Sequence, residues 1–332
     1  MDESRTGSVK VPRKGGRRAR RRQRAAAEQA ADKLTVRQHG AIARRQALDL
    51  KVTRARIDAR LQTGVWQRTE ARGVYVSAGS VPTPEQALMV ACLAGGKEAV
   101  ASHLSAAALL GFARHPKLPQ VTVPASHSGR FGGATVYRAA VPGQDRTMVG
   151  RIPCTQPART LVDCAAVVRA DALEELVDSA FCRYKTLTVS SVLRSLGRVR
   201  PDGWRKGSVA LRRALEAWSR GLRAHSPMEM RLFRRLEEWG FPLPERQLVI
   251  RDDQGRFIAK ADVGWSRIRF VLEYESDEYH PPRKWPSDDA RAKRVRDVGY
   301  RIEQVYNEDL WPWSTRLRSI LEERFAEFEE AA

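Results

Sequence analysis

The chain has 332 residues, of which 42% are hydrophobic, so it is long enough to form two or three packed domains. Its formal net charge is +20 and its pI about 10.5, which indicates a polyanionic partner because neutralised phosphates release counterions. The sequence has no apolar run that would span a bilayer, no apolar segment of a secretory signal, and no Cys-x-x-Cys spacing among its four cysteines. We therefore expect a cytoplasmic, nucleoid-associated protein with reduced thiols, no membrane partner and no zinc ribbon.

The charge is distributed unevenly along the chain. Residues 1–224 contain 40 Lys+Arg and 17 Asp+Glu, whereas residues 225–332 contain 19 and 22, for net charges of +23 and −3. Attraction to phosphate therefore belongs mainly to the front of the chain. The acidic rear suits a divalent cation better than a polyanion.

Residues 1–33 are predicted to form a disordered basic arm. Residues 1–24 contain ten Lys+Arg, and repulsion among like charges opposes a compact structure. Runs of this kind often bind nucleic acid, and the alternative is a solubilising tail. The arginines of the arm that we predict to contact DNA are Arg17, Arg18, Arg20, Arg21 and Arg22.

Residues 34–80 have the element order of a winged helix, in which two helices precede a hairpin. The first helix is predicted from Leu34 to Leu48. The second is predicted from Arg54 to Gln62, after Thr53 as N-cap and before Gly64 as stop.

Two short strands, at 65–68 and 73–76, form the predicted hairpin. In a helix-turn-helix the second helix enters the major groove, where arginine reads guanine. The alternative for this helix is an ordinary solvated basic surface. The residues predicted to contact DNA here are Arg54, Arg56, Arg60 and Arg68.

Three segments of the front half resemble the AbiEi-type antitoxins of bacterial toxin–antitoxin systems. They are Thr53–Tyr75, Ser102–Gly111 and Ile152–Asp163, and the likeness extends over roughly residues 34–196. The resemblance implies a winged-helix DNA-binding domain and leaves a cognate partner protein and a homodimer open as partners.

Residues 81–196 are predicted to form an α+β middle domain. Its predicted helices and strands are 86–93, 102–110, 121–123, 135–137, 155–166 and 173–181. His103 and Ser105 have no base–orienter partner at motif spacing, so a structural role is favoured over a catalytic one. Residues 197–224 are predicted to be a linker and a helix, with Pro201 and Gly203 in the linker.

Residues 225–332 contain a pattern of acidic residues that predicts a catalytic or metal-binding site. Ser226-Pro227 predicts the start of a helix that ends at Gly240, and Glu229 lies on the apolar stripe of that helix, where a carboxylate needs a partner or a metal. Two strands follow, and a tight turn at Ser266-Arg267 would place Asp262 across from Val271.

In that arrangement Asp262, Glu273 and Glu275 share one face of the hairpin. Three carboxylates on one face repel each other, and a bound divalent cation compensates for this most simply. Mg²⁺ takes oxygen ligands from one or two carboxylates, water and substrate phosphate, and Mn²⁺ is the alternative cofactor.

This order of residues resembles the PD-(D/E)XK nuclease superfamily, and within it the relatives of the very-short-patch-repair endonuclease. The matching segments are Ser226–Glu229, Ala261–Val263, Leu272–Glu275, His280, Asp288, Arg291, Gly299–Ile302 and Asn307–Leu310. The resemblance implies that Asp262 and Glu273 bind the metal, that Glu229 supports it, and that Glu275 and His280 complete the catalytic set. His280 would handle the proton of the attacking water or of the leaving oxygen.

The chain departs from the superfamily at two positions. Glu275 stands where lysine is usual, and Ala292 stands where many relatives have aspartate. The sequence therefore predicts an α+β multidomain protein that has a winged helix, an α+β middle domain and a restriction-endonuclease-like α/β domain. It leaves two functions open, a Mg²⁺-dependent DNA endonuclease in repair or defence and an antitoxin-like transcriptional regulator with an inactive nuclease fold. In the inactive fold, nearby arginines such as Arg269 or Arg291 would neutralise the carboxylates. An RNA-directed function ranks last.

Overall fold

The computed structural model describes residues 14–199, 206–220, 226–274, 286–311 and 313–331. The chain has a mixed α+β architecture and divides into two compact units, Met1–Leu215 and Glu216–Ala332. Helix α9 crosses the boundary between the units. In the parts that the structure describes, no helix combines the length and apolarity that crossing a bilayer requires.

The front unit contains eight helices within its described residues. They are α1 (Lys14–Arg37), α2 (Arg44–Asp49), α3 (Arg54–Gln62), α4 (Pro84–Ala94), α5 (His103–Leu109), α6 (Pro157–Ala165), α7 (Ala170–Arg183) and α8 (Val189–Val199). Helix α9 spans Ser208–Ser219.

The first sheet of the front unit is a small three-stranded sheet with the order β1-β3-β2. Its strands are β1 (Ala41–Ala43), β2 (Trp66–Arg68) and β3 (Val74–Ser77). Both pairings are antiparallel, and β2 and β3 form a hairpin. The core beneath the sheet contains Ile42, Ile57, Trp66 and Tyr75, so α3 and all three strands share it.

Two predictions for the first eighty residues are wrong. Residues 14–33 belong to α1 rather than to a disordered arm, because alanine, glutamine and arginine favour a helix and Ala27 and Ala31 anchor it in the core. The predicted helix Leu34–Leu48 is interrupted at Gly40, which has a φ of +82°. A Cβ at Gly40 would lie 2.5 Å from the Cβ of Ser80. Residues 1–13 lie outside the described residues.

The second sheet has five strands in the order β6-β5-β4-β8-β7. They are β4 (Val100–Ala101), β5 (Gln120–Val123), β6 (Thr135–Arg138), β7 (Arg146–Val149) and β8 (Ile152–Thr155), with a 3₁₀ turn at Gly143–Asp145. The pairs β4–β8 and β5–β6 are parallel, and the other two pairs are antiparallel. Helix α8 extends to Val199, three residues into the predicted linker, whose residues 200–205 lie outside the described part.

The rear unit is built on a third sheet with the order β12-β11-β10-β9. Its elements are α10 (Pro227–Trp239), β9 (Glu245–Arg251), β10 (Phe257–Trp265), β11 (Phe270–Tyr274), α11 (Pro286–Asp297), β12 (Arg301–Val305), a 3₁₀ turn at Asn307–Leu310, and α12 (Arg316–Ala331). Strand β10 is antiparallel to both β9 and β11, and β12 is parallel to β11.

The rear sheet is packed on both of its faces. One core cluster joins Leu272 of β11 to Leu236 of α10 and Leu321 of α12, and another joins Val271 to Val295 of α11. Neighbouring side chains of a strand point to opposite faces, so α10 and α12 cover one face and α11 covers the other. Glu273 follows Val271 by two residues and therefore points to the side of α11.

Candidate functional site

Helix α3 has the bounds and cap that the sequence predicts. The Thr53 hydroxyl accepts a hydrogen bond from the backbone N–H of Arg56 at 3.4 Å, and the helix ends before Gly64, whose φ is +74°. Only Ile57 is buried, so most of the helix surface faces outward. The basic side chains of that surface divide into two groups.

Arg56 and Arg60 point toward α1 and form ion pairs there. The Nε of Arg56 donates to Glu28 at 2.7 Å, and the Nη2 of Arg60 donates to Asp32 at 3.1 Å and to Glu28 at 3.4 Å. The guanidinium of Arg60 also lies 4.9 Å from the centroid of the Trp66 ring, and its side chain is only 12% exposed. These contacts occupy two of the arginines that the sequence assigns to DNA contact.

The pairing also acts on the acids of α1. The Arg56 hydrogen bond, with the charges of Arg56 and Arg60, holds the pKa of Glu28 below its usual value against the opposing effect of burial. The contacts that Glu28 makes therefore join α1 to α3 while its carboxylate is charged.

Arg54 and Arg68 remain exposed, and within the described residues neither has an ion-pair partner. Arg54 is the first residue of α3, and Arg68 is the last residue of β2 in the hairpin. In a helix-turn-helix the N-terminal residues of the second helix contact the base edges, so Arg54 holds the position best suited to that contact.

The first part of α1 is a basic helical surface. Every residue from Arg18 to Ala26 is exposed, and burial begins only at Ala27. The predicted contacts Arg18, Arg20, Arg21 and Arg22 lie on this surface. Arg17 lies in α1, and its side chain is outside the described part.

In the middle segment, residues 81–196, the side chains of His103 and Ser105 make contacts within the fold. His103 is buried, stacks on Tyr137 with ring centroids 3.5 Å apart, and shares a 2.9 Å hydrogen bond between its Nδ1 and the Ser102 hydroxyl. The Ser105 hydroxyl accepts from the backbone N–H of Gln120 at 2.9 Å. Neither side chain opens to a substrate, which favours the structural role.

In the rear unit, Glu229 has a partner in the neighbouring strand. Ser226 caps α10 by accepting from the Glu229 N–H at 3.1 Å, and Gly240 ends the helix with a φ of +80°. The Glu229 side chain is almost fully buried, and its Oε1 accepts a hydrogen bond from the Nε of Arg246 in β9. An arginine thus supplies the compensation that a buried carboxylate requires.

The two central carboxylates lie on the adjacent strands β10 and β11. Val263 pairs with Leu272, and continuing this register places Asp262 opposite Glu273. The predicted pairing of Asp262 with Val271 is wrong by two residues, because the turn has four residues, 266–269, instead of two. A shift of two residues leaves Asp262 on the same side of the sheet as Glu273.

Glu273 is held by an arginine of α11. The Nη1 of Arg291 lies 3.0 Å from its Oε1, and the Nη2 of the same arginine donates to the Lys260 carbonyl at 2.7 Å. Asp262 is exposed and has no ion-pair partner among the described residues. Cross-strand neighbours have Cβ atoms about 5 Å apart, a separation at which two carboxylates can share one cation.

The charges of Glu229 and Asp262 both act on the hydroxyl of Tyr274. Burial raises the pKa of the Tyr274 hydroxyl well above its usual value, the charges of Glu229 and Asp262 raise it further, and Arg246 opposes them. The hydroxyl and the Nη2 of Arg246 are both buried without a hydrogen-bond partner among the described residues. Both groups can donate a hydrogen bond and the Arg246 nitrogen cannot accept one, so together they suit a water or an anionic oxygen rather than a cation.

The described part of this cluster fits a metal ion only in part. Asp262 and Glu273 supply two carboxylates, but among the described residues no group of three or more Asp, Glu, His or Cys residues is positioned to hold an ion. The other two predicted members, Glu275 and His280, lie outside the described residues. Any cation here would have to share Glu273 with Arg291.

Sequence reasoning missed Arg246 and Tyr274 and named Arg291 only as one of two alternatives with Arg269. Arg269 instead donates to the Val298 carbonyl at 3.4 Å. The alternation of charged and apolar residues in β9 shows that Arg246 belongs to a strand, but its partner on α10 is set by tertiary packing.

Comparison with known proteins leaves the family open. No protein-family model matches the chain, and no curated protein matches it. Among solved structures, the crystal structure of the RV2827C protein from Mycobacterium tuberculosis is similar at 14% identity, with a TM-score of 0.38 over 63% of this chain and 80% of that chain. A TM-score of this size does not establish a shared fold.

Proposed function

We propose that this chain is a DNA-binding protein whose front unit binds a duplex through a winged helix. The observation that carries the proposal is the element order α1-β1-α2-α3-β2-β3 with the sheet order β1-β3-β2, which is the order of a winged helix. In such a domain α3 enters the major groove and the β2–β3 hairpin lies beside it. Arg54 and Arg68 are exposed on those two elements.

The charge distribution supports the same proposal. The exposed basic surface of α1 adds phosphate contacts, which supply affinity without sequence preference. The resemblance of the front half to AbiEi-type antitoxins adds a sequence argument for the winged helix. Winged helices commonly bind as dimers to paired half-sites, so a homodimer on DNA belongs to the proposal.

The test is a selection of bound duplexes from a randomised pool, followed by fluorescence anisotropy on the selected sequence. Replacing Arg54 with alanine should weaken binding about 5- to 150-fold if it makes one good base contact. Arg169→Ala removes the same charge from an exposed residue at the start of α7 and should bind like the wild type. Failure of the pool to enrich, or equal affinities of the two variants, would argue against the winged helix as the reading element.

A second candidate function is metal-dependent cleavage of DNA by the rear unit. The observation that favours it is the position of Asp262 and Glu273 on the adjacent strands β10 and β11, where the charges of Asp262 and Glu229 both act on the Tyr274 hydroxyl. This arrangement, on a sheet flanked by α10 and α11, supports the likeness to the PD-(D/E)XK superfamily. Mg²⁺ or Mn²⁺ on these carboxylates would stabilise charge on the scissile phosphate.

Cleavage is tested on supercoiled plasmid and on a mismatched duplex, with Mg²⁺, Mn²⁺ or EDTA. We expect metal-dependent nicking that Asp262→Ala abolishes, while DNA binding persists. Asp253→Ala removes an exposed carboxylate from the β9–β10 loop and should leave nicking unchanged. Absence of nicking in the wild type, with DNA binding intact, would instead support a regulator whose rear unit is a scaffold and whose carboxylates are neutralised by Arg246 and Arg291.

A further inference from the structure

A loop of the middle segment is fixed against the hairpin of the front sheet. The loop runs from His127 to Gly133 and follows β5. At one end His127 shares a 3.2 Å hydrogen bond between its Nε2 and the Ala94 carbonyl of α4. At the other end Phe131 is buried and its ring lies 5.7 Å from that of His127. The three residues between these anchors, 128–130, are exposed.

Glycine allows this loop to touch the hairpin turn. Gly132 has a φ of +65°, and a Cβ built on it would lie 3.5 Å from the Cβ of Ala71, which is buried at the turn between β2 and β3. Gly133 has a φ of +76° and approaches the Glu70 carboxylate. The loop therefore packs directly against the hairpin turn.

The contact creates a depression of about 660 Å³ between the two segments. It is lined by Thr69, Glu70, Arg72, Ser128, Gly129 and Arg130. The Thr69 hydroxyl donates to the Ala71 and Val74 carbonyls at 3.1 and 2.9 Å, which stiffens the turn on one side. Arg72 and Arg130 are both exposed, and among the described residues neither has an ion-pair partner.

We propose that Arg72, from the hairpin turn, and Arg130, from the middle segment, together bind a backbone phosphate of the DNA. The inference rests on the proposed winged helix and extends its contact surface beyond residues 34–80 to a loop that the sequence did not assign to DNA. The two segments that carry these guanidinium groups are anchored, so binding a phosphate orders the two arginine side chains without also ordering their loops. The Ser128 hydroxyl adds a neutral donor.

The ligand that this site fits is nucleic acid rather than a free anion. Both arginines are exposed at an open depression, so one isolated phosphate would keep most of its hydration and gain little. A duplex brings a phosphate to the site while α3 and Arg68 hold the rest of the strand. Glu70 at the rim repels a phosphate, and the two arginines outweigh its charge.

The test measures duplex affinity for the full chain as a function of salt concentration, with fluorescence anisotropy on a random-sequence duplex. Each lost phosphate contact makes the slope of log K against log salt less negative by about 0.9, which corresponds to an affinity about eightfold weaker at 0.1 M salt. We expect this change for Arg130→Ala and for Arg72→Ala. Arg169→Ala is the matched control and should retain the wild-type slope.

A further variant moves the loop without removing charge. Gly132→Ala places a methyl group against Ala71 at a positive φ, so it should shift Arg130 and lower affinity, with its melting temperature recorded to verify folding. The clamp would be overturned if Arg130→Ala and Arg72→Ala had the same salt slope as Arg169→Ala. If Arg54→Ala still bound weakly, the winged-helix proposal would remain supported. Absence of duplex binding by the wild type would overturn both.

Discussion

Replacing Arg60 with alanine separates a stabilising role from a DNA-contacting role. Arg60 bonds Asp32 and Glu28 of α1 and lies 4.9 Å over the Trp66 ring, with 12% of its side chain exposed. An ion pair near the surface contributes about 0.2–1 kcal/mol, and a cation–π contact about 0.5–1 kcal/mol. Their loss should therefore lower the free energy of unfolding by about 1–2 kcal/mol.

For a unit of this size, each kcal/mol shifts the melting temperature by about 2–4 °C, so Arg60→Ala should melt about 2–8 °C below the wild type. Circular dichroism measures the melting, and anisotropy on the selected duplex measures binding below the transition. We expect Arg60→Ala to keep near wild-type affinity while Arg54→Ala loses it. An unchanged melting temperature combined with a tenfold loss of affinity would show that Arg60 contacts DNA and that the contacts to α1 are not its main role.

Three other properties follow from the described contacts. Arg56 lowers the pKa of Glu28 in the folded state, so the stability that Glu28 contributes is present above its unfolded pKa and is lost as the pH falls through its folded pKa. The acid-induced drop in melting temperature should therefore be smaller in Glu28→Gln than in the wild type. Arg159 is 2% exposed and its Nε lies 3.0 Å from the Asp163 carboxylate, so Arg159→Ala should cost about 3–5 kcal/mol in urea unfolding, and a loss below 1 kcal/mol would contradict the buried ion pair. Cys182 is partly exposed, whereas burial raises the thiol pKa of the other three cysteines. One thiol per chain should therefore react with a disulfide reagent before denaturation, and all four should react after it. Rapid reaction of several thiols in the native protein would disagree with the fold.

Local signals in the sequence predict the elements that local physics determines. Thr53 caps α3, Ser226 caps α10, and Gly240 ends α10 in the left-handed conformation, all as expected from short-range rules. The first helix is predicted too long because Ile42 and Ala47 continue an apolar pattern through Gly40. That glycine is required by its positive φ and by the close approach of Ser80 and Gln86, which the local sequence does not show. A short apolar run does not distinguish a strand from a helix.

The partners of the charged side chains depend on tertiary structure, and the sequence could not supply them. Arg56 pairs with Glu28, 28 residues earlier in the chain, and Arg291 of α11 pairs with Glu273 of β11. The register of β10 and β11 depended on the length of one turn, which the sequence placed at two residues and the structure at four. The acidic residues and Arg291 as a candidate partner can be read from the sequence, whereas Arg246, which pairs with Glu229, cannot.

The most direct test of the central claim is the salt dependence of duplex binding by the full wild-type chain. If the exposed arginines of α1, α3 and the β2–β3 hairpin contact at least six phosphates, affinity should fall about a thousandfold between 50 and 200 mM salt, with a slope of log K against log salt near −5. We expect such a slope on a duplex enriched from the pool. Affinity that does not change with salt, or no binding at 50 mM salt, would contradict it.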